Sequence, residues 1–402
     1  MNSAKKILIL QSTLEFVGGA ELVVLSLAKN LTQKAYQVRV ASCQIAPFFI
    51  KEFKQYNIEY INLPQPGGRI NEWYWYYIAL RLAPSLRWAD LVNTHNFPSN
   101  IWLLYAQRLC ISHPPILWTC HEAPRNVFKR VLNEHYANSS LTNANFYTDH
   151  PDTMNWIQRT ELKATKLSGA ILCNSLYSFH KTREIYGQTT DYHWYATDPN
   201  IITEQNSGID ADNFFKPAAP YFIVISRLEN EKNVPNVIRA FSIFKRYTPN
   251  PAQLVILGKG REEIPCKNLI RELHLQNDVQ MIPFAPNTAK QQLLKNAITL
   301  IYLSLDEPLG LVPLEAALLG VPTIATNHGG PAETVQHQIT GLCVDPLDIH
   351  AIAKTLNDCL TQPEAMRHMG KAAQRWVNDQ YSFTRFFDWY LEHCHQLMKA
   401  RS

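Results

Sequence analysis

The chain has 402 residues, of which 46% are hydrophobic and 18% are charged, and its formal net charge is +4. This length exceeds one typical core and fits two domains of roughly 200 residues each, and the composition excludes a disordered chain. The small positive charge is spread along the chain, so nothing indicates a nucleic-acid partner.

The first apolar run, residues 6–10, is too short for the core of a signal peptide, and no run approaches the length of a membrane span. Eight cysteines are scattered along the chain without a C-x-x-C pair or a zinc spacing. Such cysteines are typical of reduced thiols in the cytosol. We therefore expect a cytoplasmic protein.

Strand and helix signals alternate through the first half of the chain. Short apolar runs predict parallel strands at residues 6–10, 38–42, 91–94, 116–120 and 170–174. Amphipathic stretches predict helices at residues 21–31 and 100–109. This alternation is typical of a parallel sheet with helices on its faces.

The loop that contains Gly18 and Gly19 follows the first strand and opens the first helix. Paired glycines let the backbone approach a ligand closely, and the start of a helix favours negative charge. A tight turn without a ligand is the alternative interpretation of the two glycines.

Residues 71–88 are unusually aromatic, and Arg69, Arg81 and Arg87 lie nearby. A helix in the interface of a membrane has this composition, and so has a helix packed on the sheet or one that lines a sugar-binding cleft. At a membrane, the protein would be peripheral on the inner surface, and its acceptor would be lipid-linked.

The second half repeats the plan of the first. Strands are predicted at residues 221–226, 253–257, 279–282, 299–303 and 322–325, and helices at 233–245, 267–273 and 288–296. Prolines within residues 215–220 stiffen the connection between the halves, which gives predicted domains of 1–217 and 218–382. An aromatic-rich helix is predicted at 383–399.

Two carboxylates, Glu307 and Glu315, lie on either side of a glycine-containing turn that opens a short apolar helix. Free backbone N–H groups at such a helix start, at Gly310, Leu311 and Val312, suit a nucleotide diphosphate. Glu315 would accept two hydrogen bonds from a ribose diol, and Glu307 would face the other end of the ligand. The pattern predicts a nucleotide-sugar site.

Arg227 and Lys232 follow the first strand of the second half, at the carboxyl end where open α/β sheets bind ligands. Two fixed cations there would stabilise a leaving diphosphate. The alternative is a pair of surface cations beside Glu229 and Glu231. In the first half, His95 and His121 each follow a strand, although a lone histidine is more often structural than catalytic.

These elements resemble the retaining glycosyltransferases of the two-domain GT-B fold, in the large group called family 4, or glycosyltransferase group 1. The resemblance is carried by the E-x7-E element from Glu307 to Glu315, by Asn327-His-Gly-Gly-Pro-Ala-Glu, by Thr340-Gly-Leu-Cys-Val-Asp and by Ser226-Arg-Leu-Glu-Asn-Glu-Lys. The elements occur in the family's order and cover most of the second half. Ser226 is a departure, since the family often has glycine there.

The resemblance implies an α/β fold of two Rossmann-like, doubly wound parallel-sheet domains facing a cleft, with the C-terminal helix, 383–402, packing back on the first domain. By this resemblance, Arg227, Lys232 and the N–H groups of Gly310, Leu311 and Val312 would bind the diphosphate, and Glu315 would bind the ribose. Glu307 would bind the donor sugar, and His121 would contact the sugar or the reacting centre. Gly18 and Gly19 would face the diphosphate or the acceptor, and Gly258 and Phe284 would lie near the base.

The implied activity is the transfer of a hexose, with retention, from GDP-mannose or a UDP-hexose to a hydroxyl of a glycan or lipid-linked saccharide. No metal or other cofactor is expected, because Asp210 and Asp212 match a turn of the family, and Arg227 and Lys232 already supply positive charge. The alternative is a divalent metal at this literal D-x-D, as in another glycosyltransferase architecture. Two alternatives are a non-catalytic nucleotide-sugar-binding partner subunit and a sugar-nucleotide epimerase of the same fold. The sequence leaves the sugar, the base, the acceptor and the oligomeric state open.

Overall fold

The computed structural model describes residues 4–65, 72–122, 151–196, 217–247 and 251–400. These residues form two compact units, each built around its own parallel sheet. The first unit comprises 4–65, 72–122, 151–196 and 383–400, and the second comprises 217–247 and 251–382. The predicted connection, 215–220, begins outside the described residues.

The first unit contains a seven-stranded sheet in the order β3-β2-β1-β4-β5-β6-β7, with every pairing parallel. Its strands are β1 (Lys6–Gln11), β2 (Gln37–Ser42), β3 (Glu59–Asn62), β4 (Leu91–Thr94), β5 (Ile116–Cys120), β6 (Ala170–Cys173) and β7 (Asp191–Tyr192). Its α-helices are Gly19–Gln33, Pro47–Gln55, Glu72–Trp88, Ser99–Arg108, Pro151–Ala164, Leu176–Tyr186 and Phe383–Lys399.

The second unit contains a six-stranded parallel sheet in the order β10-β9-β8-β11-β12-β13. Its strands are β8 (Tyr221–Ile225), β9 (Gln253–Leu257), β10 (Val279–Ile282), β11 (Leu300–Tyr302), β12 (Thr323–Thr326) and β13 (Gly341–Val344). Its α-helices are Val234–Tyr247, Glu263–Glu272, Asn287–Lys295, Leu311–Leu318, Pro331–Thr334, Ile349–Thr361 and Pro363–Gln380.

The predicted doubly wound architecture is confirmed in both units. All ten predicted strands are present to within a residue or two. Nine of them are interior strands of a parallel sheet, which are covered on both faces and read as apolar runs, and the tenth, β10, lies at an edge. The strands that the sequence did not reveal, β3, β7 and β13, all lie at a sheet edge. Edge strands are partly exposed, and the sequences of β3 (Glu59–Asn62) and β7 (Asp191–Tyr192) lack a continuous apolar run. The apolar residues of β13 were recognised only as part of the family motif that begins at Thr340.

The aromatic segment forms the helix Glu72–Trp88, and it has two different faces. Trp75, Ile78 and Leu82 are among its buried residues and pack in the core of the first unit. On the opposite face, Trp73 and Tyr77 are exposed. The interpretation as a helix packed on the sheet is therefore correct for one face and leaves the other unexplained. None of the helices within the described ranges combines the length and the apolar character needed to span a membrane.

Candidate functional site

The strand order of each sheet reverses beside its first strand, between β1 and β4 in the first unit and between β8 and β11 in the second. Ligands of open parallel sheets bind at the carboxyl ends of strands at such a reversal. In the second unit a small cavity lies there, and Ser226, Lys232 and Ser304 contribute polar groups to its lining. Most of the predicted donor-binding residues are on the loops around this edge or on the helix Leu311–Leu318.

Lys232 and Glu307, which are 75 positions apart, form an ion pair at this edge, with 2.5 Å between Nζ and Oε2. Their side chains are only 10% and 15% exposed. Ser304, at the end of β11, donates from Oγ to the same carboxylate oxygen at 3.1 Å. The structure thus brings two predicted residues together and adds Ser304, which sequence reasoning missed because a serine after a strand carries no pattern.

The loop that carries Glu307 is held by the glycines of the Asn327–Glu333 motif. The N–H of Gly330 donates to the carbonyl oxygen of Glu307 at 2.8 Å. A Cβ on Gly330 would lie 2.2 Å from the carbonyl oxygen of Pro308, so only glycine permits this approach of the two loops. The motif therefore has a structural task, which is to fix the position of Glu307.

The helix Leu311–Leu318 begins after Gly310, whose φ is +84°. No side chain caps this helix start. The N–H groups of Leu311 and Val312 lie in its first turn, where no intrahelical acceptor exists, and Pro313 has no N–H at all. The geometry at this helix start suits an anion, as the sequence predicted.

Glu315, one turn into the same helix, pairs with Lys290 on the helix Asn287–Lys295, with 2.8 Å between Nζ and Oε2. The two side chains are 21% and 23% exposed, so the pair is accessible. Lys290 was not identified from the sequence, because no spacing rule connects residues on separate helices. The lysine fixes the orientation of the carboxylate that was predicted to accept from a ribose.

Arg227 is in a different environment from Lys232. Its side chain is 74% exposed, and Nη2 lies 3.7 Å from Oε1 of Glu231. An exposed pair at that distance contributes little to stability, so the guanidinium can turn toward an anion at small cost. The predicted contact of Arg227 with a diphosphate stays a prediction.

Gly258 follows β9 with φ of +152°, and its N–H donates to the carbonyl oxygen of Ile282. The ring of Phe284, which follows β10, is 65% exposed. Gly258 and Phe284 therefore lie at the carboxyl ends of β9 and β10, the two strands on one side of β8 in the sheet. Their predicted position near a base stays a prediction.

Replacing Gly258 with alanine is expected to lower the free energy of unfolding of the second unit by at least about 3 kcal/mol. An added Cβ would lie 1.8 Å from the carbonyl oxygen of Ser226, so the backbone must move. The matched control is Gly320→Ala, where φ is +73° but an added Cβ would lie 4.0 Å from the nearest atom, the carbonyl oxygen of Gly370. The control should lose only about 1 kcal/mol in urea unfolding. Equal losses in the two variants would contradict the steric explanation.

In the first unit, Gly18 precedes the helix Gly19–Gln33, and its carbonyl accepts from the N–H of Leu22. A Cβ on Gly18 would lie 2.5 Å from Oε2 of Glu21, so an acidic side chain of the chain itself lies over this helix start. The predicted approach of a diphosphate or acceptor to Gly18 and Gly19 stays a prediction, and it would require Glu21 to move or to be the group that meets the acceptor.

His121 and His95 lie at the carboxyl ends of β5 and β4 and are hydrogen-bonded to each other, with 2.9 Å between Nε2 of His121 and Nδ1 of His95. His95 is fully buried and His121 is 8% exposed. Burial lowers the pKa of His121 to about 3 and holds the pKa of His95 well below its usual range. Both imidazoles are therefore neutral at physiological pH, which disfavours an imidazolium acid.

The remaining predicted elements lie outside the described residues. These are Arg69, the segment around Asp210 and Asp212, and residues 401–402 of the C-terminal helix. Within the described ranges, no three His, Cys, Asp or Glu side chains cluster as a metal site would require.

The family model for Glycosyltransferase Family 4 matches residues 17–191, and the model for Glycosyl transferases group 1 matches residues 207–376. The chain is 26% identical over 302 residues to alpha-1,3/1,6-mannosyltransferase ALG2 of Dictyostelium discoideum, covering 70% of this chain and 66% of that protein. It is 31% identical over 199 residues to a GDP-mannose-dependent alpha-(1-6)-phosphatidylinositol monomannoside mannosyltransferase of Mycobacterium tuberculosis, covering 43% of this chain and 50% of that protein.

The chain thus spans no more than two thirds of the length of these curated relatives. Among solved structures, the complex of Anabaena HepE with UDP-glucose has a TM-score of 0.72 at 20% identity, and the match covers 97% of this chain and 99% of that one. At this identity the likeness shows the fold alone, which is the GT-B fold predicted from the sequence. The two family models together match most of the chain, which therefore belongs to the group 1 glycosyltransferases.

Proposed function

We propose that the protein is a retaining glycosyltransferase that moves a hexose from a nucleotide-diphosphate sugar to an acceptor hydroxyl without a metal ion. The observation that carries the proposal is the arrangement of residues at the carboxyl ends of β8 and β11, the two central strands of the second sheet. There, the Lys232–Glu307 pair lies at the carboxyl end of the sheet, and the uncapped helix that follows Gly310 carries Glu315 in its next turn.

The proposed chemistry follows from these charges. A leaving nucleoside diphosphate gains negative charge as the sugar bond breaks, and the ammonium of Lys232 and the first N–H groups of the helix would stabilise it. The ammonium of Lys232 would then move partly from Glu307 to the diphosphate. The carboxylate of Glu307 could then accept a hydrogen bond from a hydroxyl of the sugar. The diphosphate itself would help to deprotonate the acceptor on the same face of the sugar, which gives retention.

GDP-mannose and a UDP-hexose are the two donor classes proposed. The two curated relatives are mannosyltransferases by name, one of them GDP-mannose-dependent, whereas Anabaena HepE was crystallised with UDP-glucose. A glycan or a lipid-linked saccharide is the proposed acceptor. A non-catalytic partner subunit is disfavoured because Arg227, Lys232, Glu307 and Glu315 are all present.

The proposal is tested by donor turnover. We would incubate the protein with GDP-mannose, UDP-glucose, UDP-N-acetylglucosamine and UDP-galactose, with and without EDTA, and measure release of the nucleotide. Slow hydrolysis of one donor, unchanged by EDTA and lost in Glu307→Ala, is the expected result. Turnover that needs a divalent metal would overturn the metal-independent mechanism, and tight binding of a donor without turnover, even with glycan acceptors added, would favour a binding subunit.

We also propose that the protein is cytoplasmic and contacts the inner membrane surface through the exposed face of the helix Glu72–Trp88. Trp73, Tyr77 and Leu80 are 80%, 51% and 58% exposed and follow one another at helical spacing. Arg81 and Arg87 on the same helix are exposed as well. An amphipathic helix with aromatic and basic residues on its outer face is typical of peripheral binding to anionic lipid.

The triple variant Trp73→Ser, Tyr77→Ser, Leu80→Ser is expected to weaken binding to phosphatidylglycerol-rich vesicles at least about tenfold, because loss of about 1.4 kcal/mol of apolar burial suffices for that factor. Co-sedimentation with the vesicles measures the effect. Ile264→Ser, which removes a 70% exposed apolar side chain from the second unit, is the control and should bind as the wild type does. Wild-type protein that stays in the supernatant would contradict the membrane contact.

A further inference from the structure

A chain of buried hydrogen bonds runs through the first unit to His121. The hydroxyl of Tyr390, on the C-terminal helix Phe383–Lys399, donates to Oδ1 of Asn93 at 3.0 Å. The same oxygen lies 3.0 Å from Nε2 of His95, and Nδ1 of His95 lies 2.9 Å from Nε2 of His121. Tyr390, Asn93 and His95 are fully buried.

The orientation of the Asn93 amide is fixed independently of the histidines. Its Nδ2 lies 3.0 Å from the carbonyl oxygen of Leu117 and 2.8 Å from Oγ1 of Thr119. A carbonyl oxygen only accepts, so the atom that faces Leu117 must be the N–H₂ group. The amide oxygen therefore points toward His95 and can only accept there.

The tautomers of both histidines follow from this one orientation. Because Oδ1 of Asn93 is an acceptor, Nε2 of His95 must carry a proton and donate it. His95 is neutral in its buried position, so its Nδ1 is unprotonated and accepts. The hydrogen bond between the rings then requires the proton to be on Nε2 of His121, which leaves the lone pair of His121 on Nδ1.

We propose that Asn93 is a positioning residue which, through His95, holds His121 as the neutral tautomer with its proton on Nε2, so that Nδ1 accepts a hydrogen bond from a substrate hydroxyl. The part that concerns the substrate rests on the proposed function. His121 is 8% exposed, and its Nδ1 makes no hydrogen bond with the described residues. The ring would thus favour a hydrogen-bond donor at that point of the substrate, such as a sugar hydroxyl, and would disfavour a group that only accepts, such as a carbonyl or phosphate oxygen.

The ring of His121 is also held in place by its other neighbours. It packs edge-on against Tyr195, with 5.3 Å between ring centroids, and the backbone carbonyl of His121 accepts from Nδ2 of Asn174 at 2.7 Å. Tyr195 in turn contacts Phe386 of the C-terminal helix. Asn93 therefore sets the tautomer, whereas Tyr195 and Asn174 set the position of the ring.

The test is a long-range proton–nitrogen NMR spectrum of ligand-free protein labelled with ¹⁵N-histidine, recorded at pH 7. His121→Gln identifies the His121 signals by their loss. We expect an unprotonated Nδ1 and a protonated Nε2 for His121. A protonated Nδ1, or an equal mixture of the two tautomers in the wild type, would overturn the proposal whether or not any variant folds.

Asn93→Leu removes the acceptor and is expected to let His121 exchange between tautomers and to lower kcat about tenfold, with little change in the donor KM. Tyr390→Phe is the matched control, because it removes a hydrogen bond to the same oxygen but leaves the amide orientation intact. It should keep the wild-type tautomer. The two proposals fail separately: the expected tautomer without donor turnover contradicts the function, and turnover with the opposite tautomer contradicts the role of Asn93.

Discussion

Replacing Lys232 with methionine is expected to lower the kcat/KM for donor turnover about 10²- to 10³-fold, because in the proposed function this ammonium stabilises the developing charge of the diphosphate. The same change should destabilise the second unit by about 3–5 kcal/mol, since the carboxylate of Glu307, which is only 15% exposed, loses the cation that neutralises it. Nucleotide release with the preferred donor measures the first effect, and urea unfolding measures the second.

The double variant Lys232→Met, Glu307→Gln separates the two effects. Removal of both charges should restore most of the lost stability, because a neutral amide costs far less to keep at this position than a charged carboxylate without a neighbouring cation. Activity should stay as low as in Lys232→Met. A double variant that regains both stability and turnover would show that the pair serves folding alone and would remove Lys232 from the donor site.

The wild-type first unit is expected to become less stable as pH rises from 6.5 to 8, and replacing Glu161 with glutamine should remove most of this dependence on pH. Glu161, on the helix Pro151–Ala164, is fully buried, and neither of its carboxyl oxygens has a hydrogen-bond partner among the described residues. Burial raises its pKa to about 8, and the nearby amide of Asn100 lowers the pKa only in part.

The sign of the effect follows from the protons bound in each state. Between the unfolded pKa, about 4.3, and the folded pKa of Glu161, about 8, the folded protein holds a proton that the unfolded chain has lost. Stability therefore falls as pH rises through this window, by about 1.4 kcal/mol per pH unit. Buried His95 and His121 act in the opposite direction, but only below about pH 6.5, where the unfolded histidines become protonated.

Urea unfolding of the first unit at pH 6.5 and at pH 8 measures this difference. We expect wild type to lose on the order of 2 kcal/mol between the two pH values and Glu161→Gln to lose much less. Glu161→Leu is a matched variant without a polar group, and it should show the same flat dependence even if its stability at pH 6.5 differs. A wild type that is equally stable at both values would contradict the raised pKa.

The features that were predicted correctly are those that depend on a local pattern of residues. The central strands, such as Ile116–Cys120, were located from their apolar runs because both faces of a parallel sheet are buried. The helix start at Gly310 was located because a glycine before a short apolar helix is a local signal. Arg227 and Lys232 were identified by their position after a strand together with a family pattern, which is equally local.

The sequence by itself thus determined two parallel α/β domains, and it predicted a nucleotide-sugar site around Glu307 and Glu315 and a functional histidine at the end of β5. Tertiary structure alone decided which side chains meet: Lys290 with Glu315, Ser304 with Glu307, and Tyr390 with Asn93, which are 297 positions apart. Periodicity reports which face of an element is buried, and it contains no information about the partner that covers that face. Charge state and tautomer at Glu161 and His121 depend on those partners and on the exclusion of water, so only the fold fixes them.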